Sequence, residues 1–163
     1  MKEFNEYYQR NKQLDKMYEE RYGDTVSNVY EKNCLELIVE ICEFANESKC
    51  FKYWSIKNPN RVLLLEEYAD CLSMLFCIFN NHDIDSVSLL DIELNDDIVL
   101  VFNELIRMCT CLMDKNNVNK EILLKIFTYL LHIGNLLEIS NDELLDACYM
   151  KLGKNIDRLN SNY

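Results

Sequence analysis

The chain has 163 residues, with 17 Lys+Arg against 28 Asp+Glu and a formal net charge of −11. That length suits a single domain, residues 1–163, and a hydrophobic share of 49% is enough to build a core. The acidic excess argues against nucleic-acid polymers as partners, and 3 Gly with 1 Pro, far below the usual roughly 7% and 5%, argue against turn-rich β folds and for long helices.

The first predicted helix runs from Lys2 to Tyr22, aromatic and charged at helical spacing, and stops near Gly23-Asp24. Ser27 is placed to cap a second helix reaching about Glu47. The stretch Ser48 to Asn60 breaks the pattern and holds the only Pro and the only Trp. A third helix follows from Arg61 to Phe79, then a turn at Asn80 to Asp83. Ile84 to Asp91 reads as either a short helix or a loop. A fourth helix spans Asp96 to Met113, with a turn at Asp114 to Asn117. Asn119 caps a fifth, which reaches about Glu138. Ser140 and Glu143 fit a capping box that opens a sixth helix, ending near Arg158. These elements predict an all-α helical bundle with a four-helix-type core.

Gly23, Gly134 and Gly153 lie too far apart for a Gly-rich phosphate loop. The first ten residues, MKEFNEYYQR, carry no apolar stretch of the signal-peptide kind. The nearest approach to a membrane span, Ile122 to Leu137, contains Lys125 and His132. A soluble, cytoplasmic protein with no membrane partner is the expectation. The 8 cysteines include no C-x-x-C pair and mostly sit among aliphatic residues, so free buried thiols are expected rather than disulfides or zinc ligands.

The strongest chemical signal lies on the second helix. Glu36, Glu40, Glu43 and Glu47 follow a four-three-four spacing that puts them on one face. No Lys or Arg is interleaved among them, and the remaining positions are mostly apolar, which predicts a buried helix carrying an acidic stripe into a cleft. On the third helix Glu67 and Asp70 share a face amid apolar neighbours, with Glu66 beside them. If the two helices pack together, Glu40, Glu43, Glu67 and Asp70 converge into a carboxylate-lined metal site. All-oxygen ligands suit a hard cation, Mg²⁺ first and Mn²⁺ next. A di-iron site is excluded, because Phe79 and Tyr129 stand three residues before His82 and His132 where Glu would be needed. His82 reads as a turn residue and His132 as a satisfied core histidine.

The strings LIVEICEFANESKCFKYWS (37–55), LLEEYADCL (64–72) and SNDELLDACYMKLGKNIDRLNSNY (140–163) resemble the dimeric dUTPases of the all-α NTP pyrophosphatase superfamily. The resemblance implies hydrolysis of dUTP to dUMP and pyrophosphate with Mg²⁺, by a homodimer. It implies that Glu40, Glu43, Glu67 and Asp70 hold metal, and that Glu40 or Glu43 orients or deprotonates the attacking water. It implies that Asn155 reads the uracil edge, that Lys151 and Arg158 contact the phosphates or sugar, and that Lys52 and Trp54 line the nucleotide site. Lys151, Asn155 and Arg158 fall at i, i+4 and i+7, on one helical face. Three departures bear on nucleotide preference. Ser73 and Met74 replace a His-Phe pair, Asn11 and Lys12 precede Leu14-Asp15 where Gln is usual, and Leu159 replaces a Gln. A related dNTP pyrophosphatase, acting for example on dCTP, and a catalytically inactive helical interaction module are the alternative readings.

Overall fold

In a computed structural model, residues 1–23 and 25–161 are described. Asp24, part of the expected first stop, and Asn162-Tyr163, the end of the third resembling block, lie outside them. Among the described residues the chain forms α1 (Lys2–Tyr22), α2 (Val29–Ser48), α3 (Arg61–Asn80), α4 (Ile98–Cys111), a single 3-10 turn (Lys115–Asn117), α5 (Lys120–Leu136) and α6 (Asn141–Asn160), with no strand. The all-α bundle expected from the scarcity of turn residues is what forms.

Helix α3 is the hub. It packs on α1, α2, α5 and α6, while α4 closes the far side against α2 and α5. That position explains a helix apolar nearly all round: Tyr68, Ala69, Leu72, Leu75, Phe76 and Phe79 are all essentially inaccessible to water. Phe44 of α2 stacks flat on Tyr68 at 4.6 Å, and Tyr68 donates to the Leu130 carbonyl of α5 at 3.0 Å. Gly134 on α5 faces this ring so closely that an added Cβ would overlap the Tyr68 hydroxyl. A glycine here serves close approach rather than a special backbone angle.

The helix starts follow from side-chain caps. Asn60, Asp97, Asn119 and Ser140 each accept from free amides of the first turn, and Ser140 and Glu143 complete the capping box. One expected cap differs. Ser27 does not cap α2; Asn28 occupies that position in the left-handed region at φ 56°, without a side-chain bond. Helix α1 ends at Tyr22 as expected, with Gly23 as its C-cap, right-handed and donating to the Glu19 carbonyl. Arg61 ties the start of α3 to the start of α6: it donates to the carbonyls of Leu137 and Glu138 and forks onto Glu143 Oε1 at 2.8 and 3.2 Å. This clamp sets where α6 begins along α3.

The ambiguous segment after α3 is a loop, without helix or strand, that acts as a strap. Ile84 and Val87 are buried. Tyr8 donates to the Ile84 carbonyl, Asn5 both donates to and accepts from Val87, and Thr128 accepts from the Leu90 amide. His82 is more than a turn residue. Tyr30 gives its one hydroxyl proton to the Leu112 carbonyl at 2.8 Å, so its oxygen accepts from His82 Nε2–H at 3.0 Å. His132 is satisfied, donating Nε2–H to the Asn95 carbonyl, but it sits half-exposed at the rim instead of in the core. All eight cysteines are free thiols; Cys34, Cys71, Cys109 and Cys148 are buried, whereas Cys42 and Cys111 are exposed.

Candidate metal centre and its basic flank

Three strips divide the surface of α2. Tyr30, Cys34, Leu37, Ile41 and Phe44 face the core. Glu36, Glu40, Glu43 and Glu47 form the acidic strip beside it. Leu35, Val39 and Cys42 form a third strip that is open to water, Leu35 to 56%. The expectation of a helix buried all round therefore holds for α3 from Leu64 onward and fails for α2. The apolar positions of α2 exceed what one packed face can cover, and the surplus lies outside. Glu36 and Glu43 are correspondingly exposed, while Glu40 and Glu47 are half-buried.

The side chains of Glu40, Glu67 and Asp70 converge where α2 and α3 pack. One carboxylate oxygen from each lies within 4.8 Å of the other two, a group able to hold a cation. Asp70 is buried, 9% exposed. Glu43, one turn along α2, adds its charge to the same field, acting on both Glu40 and Glu67. Burial and then the neighbouring charges of Asp70, Glu43, Glu67 and Glu36 push the Glu40 carboxyl up to about 7. Burial also raises Glu67 and Asp70. Carboxyls that resist ionisation together mark a site short of positive charge. The donor set is all oxygen, which fits a hard divalent cation.

The positive charge that is present comes from α6. Lys151 donates to Asp70 Oδ2 at 2.5 Å from a side chain only 15% exposed, and its ammonium stands 4.0 Å from Glu66. Lys154 takes Glu66 at 2.9 Å. Glu66 is thus a flank residue, held low by its Lys154 bond. One turn beyond Lys151, Asn155 is half-buried, and its amide oxygen lies 3.5 Å from Arg158 Nη1. Arg158 acts on Asp70 and Glu66 through its charge. Of the expected i, i+4, i+7 set on α6, Lys151 is the member that touches the carboxylates.

Lys52 and Trp54 sit in the loop after α2, outside the cluster itself. Lys52 Nζ donates to Asn46 Oδ1 at 2.5 Å, and Asn46 donates to Glu47, which also pairs with Lys49 at 3.2 Å. This chain of contacts fixes the loop to the end of α2. Trp54 is 65% exposed and meets Phe51 and Tyr53 edge-on, so the loop presents an aromatic surface to solvent.

A polar seam continues along α3 away from the carboxylates. Asn11, fully buried on α1, donates to Ser73 at 2.8 Å. Asp15 accepts the Cys77 thiol at 2.8 Å and also the Asn80 amide. Burial raises the Asp15 carboxyl despite these two donors. Reading the sequence identified Asn11, Asp15 and Ser73 but gave Cys77 and Asn80 no role. Their signal was positional: Asp70, Ser73, Cys77 and Asn80 advance by three, four and three residues along one face of α3.

The fold and site define a class: an all-α bundle that gathers carboxylates from two adjacent helices, with a basic third helix over them. The family model for dUTPase matches residues 3–163, and the chain belongs to that family. A search of curated proteins finds no significant match. Membership carries a nucleotide-pyrophosphohydrolase type of function on a dUTP-type substrate. No single helix is long and apolar enough to cross a membrane.

Proposed function

We propose that this protein hydrolyses dUTP to dUMP and pyrophosphate with Mg²⁺, Mn²⁺ serving as a substitute. The observation that carries the reading is the meeting of Glu40, Glu67 and Asp70 under the basic face of α6. Glu40, Glu43, Glu67 and Asp70 are the proposed metal-holding residues. A bound divalent ion would supply neutralisation of the phosphate oxygens and a more acidic water. Phosphoryl transfer asks little else of a protein than position and charge. Glu40 is assigned to take a proton from the attacking water. Glu43, exposed beside it, is placed to orient that water. Lys151 and Arg158 face the phosphates. Asn155 offers one donor and one acceptor on a single amide, which suits the uracil edge. Lys52 and Trp54 close the nucleotide side from the loop after α2.

The protein acts as one domain over 1–163, in the cytoplasm and without nucleic-acid or membrane partners. A homodimer fits the open strip of Leu35 and Val39, together with Val62 and Leu63 at the start of α3 and Ile56 in the loop, all exposed. Apolar surface of this kind marks protein contacts. A second reading, a pyrophosphatase for another nucleotide such as dCTP, is favoured by one observation: Ser73 and Asp15 are already engaged by Asn11, Cys77 and Asn80. A nucleotide panel with pyrophosphate detection separates the two. Preference for dUTP supports the first, and equal turnover of dUTP and dTTP removes it. Binding of a non-hydrolysable dUTP analogue without turnover of any nucleotide would point to an inactive module.

A further inference from the structure

We propose that Lys151 is a built-in counter-cation that competes with the divalent metal for Asp70 and, once displaced, serves the triphosphate, so that metal and nucleotide bind in a coupled manner. The inference rests on the metal reading above and deepens it.

The geometry is specific to one lysine. Lys151 Nζ lies 2.5 Å from Asp70 Oδ2, and both side chains are largely withdrawn from water, 15% and 12% exposed. Asp70 is also one of the three carboxylates whose oxygens approach within 4.8 Å. An ion on Asp70 Oδ2 at the roughly 2.1 Å usual for Mg²⁺ would stand less than about 5 Å from the ammonium. At that range two cations repel strongly in a partly dry site. Lys154 has the same charge, but it is more exposed and is engaged with Glu66 at 2.9 Å. It balances the flank without touching Asp70.

Lys151 has four methylenes between backbone and charge, so its ammonium can leave Asp70 without moving α6. The start of that helix is fixed by Arg61 on Glu143. A lysine leaving Asp70 gains most by meeting another anion, and the polyphosphate of the substrate is the anion that this site receives. Two-site linkage then follows. If metal frees Lys151 and Lys151 holds phosphate, nucleotide raises metal affinity by the factor with which metal raises nucleotide affinity.

The test is calorimetric titration of the full-length protein with Mn²⁺ alone, then with Mn²⁺ at saturating non-hydrolysable dUTP analogue. Lys151→Met keeps the stem and removes the charge; it should bind Mn²⁺ alone about tenfold tighter than wild type. Its gain in Mn²⁺ affinity on adding the nucleotide should shrink. Lys151→Arg keeps the charge and should stay close to wild type. Lys154→Gln removes an equal charge nearby and should shift Mn²⁺ affinity by no more than about twofold. Circular dichroism of each variant checks that the fold persists. Equal or weaker Mn²⁺ binding by Lys151→Met overturns the inference, as does a Lys154→Gln shift of the same size. Should none of the four proteins bind Mn²⁺ at millimolar concentration, the metal reading itself falls, and the inference with it.

Discussion

Glu40→Gln should stabilise the metal-free protein at alkaline pH and leave it unchanged in acid. The Glu40 carboxyl stands at about 7 in the fold against an ordinary 4.5, raised first by burial and then by Asp70, Glu43 and Glu67. A carboxyl raised on folding contributes its stability fully below the ordinary value and loses it as pH climbs through the folded value. Each tenfold in the ionisation constant corresponds to about 1.4 kcal/mol. The full displacement would approach about 3.4 kcal/mol, and the half-exposed setting of Glu40 screens this to about 1–2 kcal/mol. Urea unfolding in EDTA at pH 4.5 and pH 8 measures it. Wild type should lose this amount between the two pH values beyond what Glu40→Gln loses, and Glu40→Gln should be the more stable protein at pH 8. Parallel pH dependence in the two proteins would refute the electrostatic account of the cluster. The same assay at pH 8 with excess Mg²⁺ in place of EDTA should reverse the order, because only the wild type keeps the full ligand set.

Glu43→Gln should lower turnover of dUTP by about 10²–10⁴-fold, the usual range for a group handling the attacking water. Its stability should stay within about 0.5 kcal/mol of wild type, since the residue is exposed; unchanged turnover under saturating Mg²⁺ would remove the role given to it. Asn155→Ala should compress the ratio of kcat/KM for dUTP over dCTP and dTTP, with Mg²⁺ affinity unchanged. A loss confined to metal affinity would contradict the base-reading assignment. Gly134→Ala should destabilise by about 1–2 kcal/mol in urea: overpacking against Tyr68, which is held by Phe44 and Leu130, exceeds the roughly 1 kcal/mol that helix propensity returns.

The helices were legible because their signals are local. Asn119 and the Ser140–Glu143 box announce their own helix starts, and the acidic spacing on α2 and α3 places carboxylates on single faces without knowledge of the partner helix. The burial of α2 was not legible. Its apolar residues outnumber the core positions available, and only the packing against α3 and α4 decides that Leu35 and Val39 stay outside. The start of α2 was missed for a related reason: Asn28 adopts a left-handed conformation that residues with short polar side chains tolerate, and no cap bond advertises it. At the site, the three-residue spacing of Glu67 and Asp70 was enough to find a shared face. The pairing of Lys151 with Asp70 spans 81 positions of chain, and no periodicity could disclose it. The same holds for Cys77 on Asp15, where a thiol read as core filler serves as a donor to a buried carboxylate.

The strap between α3 and α4 has a consequence for how the molecule opens. Residues 84–90 form no helix and no ladder, and several of their backbone groups are satisfied by side chains from both ends of the sequence: Asn5 and Tyr8 at the beginning, Thr128 near the end. The N-terminal helix is thereby stitched to the middle of the chain, as well as packed on α3 and α6. Fraying of α1 would expose the Val87 amide, the Val87 carbonyl and the Ile84 carbonyl together. In native-state hydrogen exchange, α1 and the Val87 amide should therefore open as one unit, with the N-terminus protected far beyond what a terminal helix of its polarity would achieve alone.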